Sequence, residues 1–239
     1  MASKTIELAG VGPVTLTKRA GSRSIRLSIT TRGVRVSMPF YTPFSVGQAF
    51  VARHTGWIQS ELAKRQPLPF TEGQRIGKLH ILHFERIPAA RSVTSRVTGT
   101  TIVVKLAPED TIVDISVQDR TRKAVVRALK REASALLPPR LEALAAKHHK
   151  PYRSIVIKQL TRRWGSCDRQ ANIVLNLFLM ELPWDQIDYV LLHELTHTVH
   201  MNHSADFWTA LTAMQPRARD LARTVRKRQP GIANDPHYP

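Results

Sequence analysis

Ile25, Leu27 and Ile29 alternate with polar residues, as do Val34, Val36 and Met38, and Thr31-Arg32-Gly33 between them has turn chemistry. A period of two puts one face of each segment in a core and the other in solvent, so the pattern predicts a β-hairpin. Val46, Phe50, Val51, His54, Trp57, Ile58 and Leu62 follow helical spacing instead, and Gln66-Pro67-Leu68-Pro69 ends that helix. Strands are predicted at about 76–84, 91–97 and 101–106, the last two joined at Thr98-Gly99-Thr100. A long helix follows over about 118–149, interrupted or kinked at Pro138-Pro139, with an apolar stripe of Ala124, Leu129, Ala133, Leu136, Leu141 and Leu144. Two strands near 154–159 and 172–177 precede an amphipathic helix carrying Trp184, Ile187, Val190, Leu191 and Leu195. That helix opens at Pro183, with Asp185 favouring the dipole of its first turn.

That last helix carries His193-Glu194-Leu195-Thr196-His197. Residues four apart share a helix face, so His193 and His197 can present two imidazoles to one metal ion while Glu194 points to its side. Catalytic zinc takes three protein ligands and keeps a position for water, whose pKa it lowers; Glu194 is suited to take the proton and deliver it to a leaving group. The third ligand is expected beyond a chain reversal after about residue 201. Asn202 tolerates a left-handed helix end, and Ser204 can cap a following helix with Asp206 in its first turn, then Phe207, Trp208 and Leu211. His203 fits that return better than His200, which is seven residues from His193 along the axis and is expected beside the site or facing solvent. The spacing also matches the metzincin pattern, but His200 stands where that class has glycine, and only a short stretch of chain follows.

The run Arg163-Trp164-Gly165-Ser166-Cys167, then Asn172-Ile173-Val174-Leu175-Asn176, then Asp188 to His197, then Met201-Asn202-His203-Ser204 and Phe207-Trp208 closely resembles the YgjP-like (DUF45) metallopeptidase family. This is a group of minimal zincins related to SprT-like proteases and grouped with the M48 peptidases. The resemblance runs from about residue 14 to 228 and is most specific over 158–208. It implies zinc on His193, His197 and His203, with Glu194 as general base of a zinc-dependent peptidase acting on peptide or protein substrates. Thr196 stands where relatives often have cysteine, and its side chain is expected to point away from the metal face. Some relatives are described as nucleotide pyrophosphatases, so a UTP-type nucleotide pyrophosphohydrolase is the alternative.

With the element pattern, this predicts an α+β fold. A β-rich subdomain with one helix (1–112) packs on a zincin-like catalytic domain (113–228), followed by a tail (229–239). Arg163, Trp164 and Asn176 are candidates for the substrate cleft, Asn176 because the strand 172–176 is the expected edge on which an extended peptide can pair. Tyr189 is expected to pack against the core.

At 239 residues and 42% hydrophobic, the chain can bury a full core. No run of eighteen apolar residues occurs, and the N-terminus lacks the basic and apolar regions of a signal peptide, so a cytoplasmic protein without membrane association is expected. The single cysteine, Cys167, excludes an internal disulfide and a cysteine-rich zinc cluster; it reads as a small buried side chain or a thiol near the cleft. A net charge of +18, from 36 basic and 18 acidic residues, favours non-specific contact with nucleic acid. It also raises a third reading, a basic nucleic-acid-associated protein with structural zinc. Glu194 argues against that reading, because a closed structural site needs no base beside its ligands.

Overall fold

Period-two burial builds the first of two cores. The computed structural model describes residues 2–30, 33–65 and 68–232, and the chain divides into two compact units, Met1–Pro67 and Leu68–Pro239. In the first unit, β1 (Ser3–Leu8), β2 (Gly12–Arg19), β3 (Arg26–Thr30) and β4 (Gly33–Pro39) form a sheet of order β1-β2-β4-β3. The expected hairpin is β3 against β4, with Leu27 opposite Val36 and Ile29 opposite Val34; Thr31 and Arg32 of its turn lie outside the described residues. Val14, Leu16, Val34, Val36 and Met38 are buried on one face with Val51 and Ile58. The helix expected over 46–62 is two, α1 (Phe44–Arg53) and α2 (Thr55–Arg65). His54 separates them at φ −103° and ψ 12°, with its Nδ1 2.7 Å from the Phe50 carbonyl oxygen. Of the expected helix end, Gln66 and Pro67 lie outside the described residues.

The second unit opens with β5 (Arg75–Ile76), β6 (His80–Arg86), β7 (Thr94–Thr98) and β8 (Thr101–Leu106), ordered β5-β6-β8-β7. Gly99, at φ +53°, supplies the left-handed residue of the β7–β8 turn. The division at 67/68 replaces the boundary expected at 112. Ile76, Leu82, Ile102, Val104 and Leu106 of this sheet share one hydrophobic core with the helices that follow, so the sheet belongs to the second unit.

The long helix α3 (Ile115–Lys147) runs through Pro138 and Pro139 without the expected interruption. Each proline forfeits an amide and crowds the carbonyl four residues back, but Leu137 and Leu141 on either side are fully buried and hold the path. Glu132, 2% exposed on α3, accepts from the amides of Lys78 (2.7 Å), Leu79 (2.9 Å) and His80 (3.2 Å), tying the β5–β6 turn to the helix.

After α3 come β9 (Ser154–Lys158), β10 (Gly165–Cys167) and β11 (Asn172–Asn176), a 3-10 segment (Leu177–Glu181), and helices α4 (Trp184–Thr196), α5 (Ala205–Met214) and α6 (Ala218–Lys227). The sheet order is β10-β11-β9, so β11 is its central strand and not the expected edge. It pairs parallel with β9 and antiparallel with the short β10, a strand whose three residues are too few to register as a periodic pattern. Arg140 of α3 locks α4 in place: its guanidinium forms a two-pronged ion pair with Asp188, through Nε to Oδ1 and Nη2 to Oδ2 (2.6 Å), and lies 4.6 Å from the Trp184 ring centroid. The tail expected over 229–239 lies outside the described residues from 233 onward. Among the described residues no helix is long and apolar enough to cross a membrane.

Candidate metal centre

Ile187, Val190, Leu191 and Leu195 anchor α4 in the core, and the helix sets His193 and, at its C-cap, the buried His197 one turn apart. The helix ends sooner than expected, with Thr196, and bonds from Thr198 to the Leu195 carbonyl (3.2 Å) and from Val199 to that of Thr196 (3.1 Å) tighten its last turn. The chain then reverses over 197–204. Asn202 is not left-handed there, since His149 and Ala171 are the non-glycine residues of positive φ among those described; its Oδ1 instead accepts from the Ser204 amide at 3.3 Å. Ser204 does cap α5, its Oγ accepting from the Phe207 amide at 3.4 Å.

This reversal brings His203 to the helix pair. Its Nε2 lies 3.1 Å from His193 Nε2, which in turn lies 3.2 Å from His197 Nε2. The candidate ligand atoms of His193, His197 and His203 all fall within 4.8 Å of one another. His200 contributes its backbone instead: its carbonyl oxygen sits 2.9 Å from His197 Nδ1. A proton on Nδ1 donated there leaves the Nε2 lone pair facing the cluster. Tyr189, one turn before His193 and expected only to pack, is buried but sets its hydroxyl 3.4 Å from His193 Nδ1. Burial, with a smaller push from Glu194, raises its phenol to about 12, so it stays protonated. Phe207, fully buried, floors the cluster with ring centroids 5.0, 4.7 and 4.7 Å from those of His193, His197 and His203.

Burial and the neighbouring imidazoles hold His193 down to about 3 and lower His197 as well, which keeps both rings in the neutral, ligating form. Glu194 is 5% exposed, and its Oε2 has no hydrogen-bond partner among the described residues. Burial pushes this carboxyl up to about 8 against the opposing pull of Arg163. Gly165 of β10 forms the wall behind it, since a Cβ there would stand 2.6 Å from Glu194 Oε1 and 2.9 Å from its Cδ. Thr196 is fully buried, its hydroxyl donating to the Leu192 carbonyl at 2.7 Å.

The cluster opens on a cleft of about 880 Å³ lined by Arg163, Trp164, Gly165, Tyr189 and Trp208, with α6 on one side. Arg163 and Trp164 line this cleft, and Asn176 does not. It is fully buried, its Nδ2 donating to the carbonyls of Leu160 and Arg163, both at 2.8 Å. Asn176 thus shapes the loop that presents Arg163 without itself reaching the cleft. Cys167 is half-buried, and burial, with the nearby Glu194 and Asp168 carboxyls, pushes its thiol up to about 11, which keeps it protonated at neutral pH. The sequence reading overlooked the roles of Gly165, the Tyr189 hydroxyl and Phe207. Tyr189 had a usable signal, because it stands four residues before His193 on the histidine face.

Histidines paired on a helix and a third returning from a reversal form a group that could hold a metal ion, with a buried carboxyl beside an open cleft. The family model described as YgjP-like, metallopeptidase domain, matches residues 23–228, and the chain belongs to that family. It is accordingly a hydrolase of metallopeptidase type, with peptides or proteins as its class of substrate. Among solved structures the chain is similar to the metallopeptidase zymogen of Pyrococcus abyssi abylysin, at 20% identity over 43% of this chain and 92% of that one, with a TM-score of 0.34. It is also similar to the zymogen of Methanocaldococcus jannaschii jannalysin, at 16% identity over 43% and 94%, with a TM-score of 0.33. No curated protein matches the chain.

Proposed function

We propose that the chain is a zinc-dependent peptidase whose metal is held by His193, His197 and His203 and whose general base is Glu194. The observation that carries this reading is the convergence of imidazole nitrogens at 3.1 and 3.2 Å. Ligands at about 2.0–2.1 Å around a tetrahedral zinc stand roughly 3.3 Å apart. With the Nε2 lone pairs turned to the cluster, these spacings match the distance between ligands of one such ion, so the donor set fits it. A structural zinc site is closed by four protein ligands, whereas the cluster among the described residues has three and borders a cleft.

Zinc held there supplies Lewis-acid chemistry, polarising the scissile carbonyl and acidifying water. The chain's own part is positioning and proton transfer. The His200 carbonyl and the Tyr189 hydroxyl orient two of the imidazoles. Glu194 Oε2, buried and without a hydrogen-bond partner among the described residues, would take a proton from water once a cation beside it favours the carboxylate, and return it to the leaving amine.

Two measurements on purified protein test this. Metal analysis is expected to give one zinc per chain, retained by His200→Ala and lost in His203→Ala; the reverse result overturns the ligand assignment. Glu194→Gln is expected to retain zinc while losing on the order of a hundredfold in peptide hydrolysis. Full activity in that variant removes the base, and zinc-dependent cleavage of UTP with no cleavage of peptides replaces the peptidase reading by the pyrophosphohydrolase one.

A further inference from the structure

The cleft is charged in one sense. Among the described residues four arginines line it, Arg163 from the loop before β10 and Arg219, Arg223 and Arg226 from α6, against a single carboxylic residue, Glu194. The three on α6 are spaced by four and three residues, so they share one helix face. Away from the cleft, Ala218 and Leu221 are buried. Dipole compensation explains a cation in the last turn, where Arg226 sits, but not cations in the first turn and the middle, where Arg219 and Arg223 sit.

Their local partners do not cancel this charge. Asp220 pairs with Arg223, while Arg219 and Arg226 form no ion pair among the described residues. Arg219 instead stacks on Trp208, its guanidinium carbon 4.9 Å from the ring centroid. Trp208 packs on Phe207, the floor of the histidine cluster, at a centroid distance of 5.7 Å. A positive group is thereby held at a set place on the cleft wall, backed by the aromatic chain that supports the candidate metal ligands.

We propose that the α6 face is a carboxylate-recognition wall, and that the peptides this protein cleaves carry an aspartate, a glutamate or a free C-terminus close to the scissile bond. The inference rests on the peptidase reading and names the substrate class for it. Planar guanidinium groups bind carboxylates through two parallel hydrogen bonds. Low-dielectric walls such as Trp164, Trp208, Val190 and Val225 strengthen that attraction and leave room for apolar neighbours of the acid. A nucleic-acid backbone, by contrast, calls for cations spread along a track, not converging from one helix face into one cavity.

The test uses the full zinc-loaded chain and matched fluorogenic peptides that differ by Glu or Gln at one position scanned along the peptide, with and without C-terminal amidation. Charge-assisted bonds of this kind correspond to about a tenfold to hundredfold preference in kcat/KM for the acidic member, weakening as salt is raised. Arg219→Gln with Arg226→Gln is expected to bring the acidic-to-amide ratio towards one, while Arg120→Gln, on α3, leaves it unchanged. The amidated series separates a side-chain carboxylate from a terminal one. Binding of the same peptides to the Glu194→Gln variant, followed by fluorescence anisotropy, gives a readout independent of turnover. A ratio near one in both cleavage and binding, or a ratio indifferent to the double variant, overturns the proposal and leaves the peptidase reading standing. Arginine-dependent binding of acidic peptides without cleavage does the opposite. Occupation of the arginine wall by UTP with no preference among peptides overturns both.

Discussion

Gly165→Ala isolates the geometry of the candidate base. The glycine does not require a left-handed backbone, so alanine is admissible to the chain and the whole perturbation is steric. The added methyl would stand 2.6 Å from Glu194 Oε1 and 2.9 Å from its Cγ and Cδ. Ordinary contacts are near about 3.5 Å, so carboxylate and strand must part by roughly 0.5–1 Å. Glu194 is 5% exposed and its Oε2 has no hydrogen-bond partner among the described residues to hold it, which leaves the carboxylate to absorb the shift by turning from its position beside the histidines. A displacement on this scale corresponds to on the order of a hundredfold in rate, whereas overpacking costs about 1–3 kcal/mol of stability. Steady-state peptide hydrolysis, zinc stoichiometry and urea denaturation, measured on the same preparations, separate the two effects. The expected pattern is full zinc, a modestly lowered unfolding midpoint and a kcat/KM near one-hundredth of the parent value. Parental kcat/KM in a folded, zinc-loaded variant would refute the argument, because the carboxylate would then not depend on the wall that Gly165 makes.

Asn176→Ala should act on stability first: Nδ2 donates to two carbonyls at 2.8 Å and Oδ1 accepts from the Phe178 amide at 3.2 Å. Orphaning these buried groups costs about 2–4 kcal/mol after relaxation, readable by urea denaturation, and an unchanged midpoint would return Asn176 to the cleft as a candidate substrate contact. The net charge of +18 should also give salt-sensitive binding to DNA and RNA that is indifferent to sequence and to zinc. Titrations of unrelated oligonucleotides at several salt concentrations, with and without chelator, measure it; no binding at low salt would reduce the charge to a solubility feature.

What could be read from the chain alone was whatever depends on local spacing. The four-residue repeat of His193 and His197, the carboxyl between them, the capping hydroxyl of Ser204 and the two-residue alternation of β3 and β4 are consequences of helix and strand periods. They are legible because the residues involved are neighbours in sequence. The unit boundary was not, since whether Ile76, Leu82 and Ile102 join the first sheet or the α3 core depends on contacts between distant segments. Continuity of α3 through two prolines likewise reflects burial on either side and not propensity. The central position of β11 is set by a β10 strand of only three residues. Tertiary structure alone brought the Gly165 wall against Glu194, turned Asn176 inward, and faced the arginines of α6 into the cleft of the histidines. Periodicity states which side of an element is polar; only packing decides what that side meets.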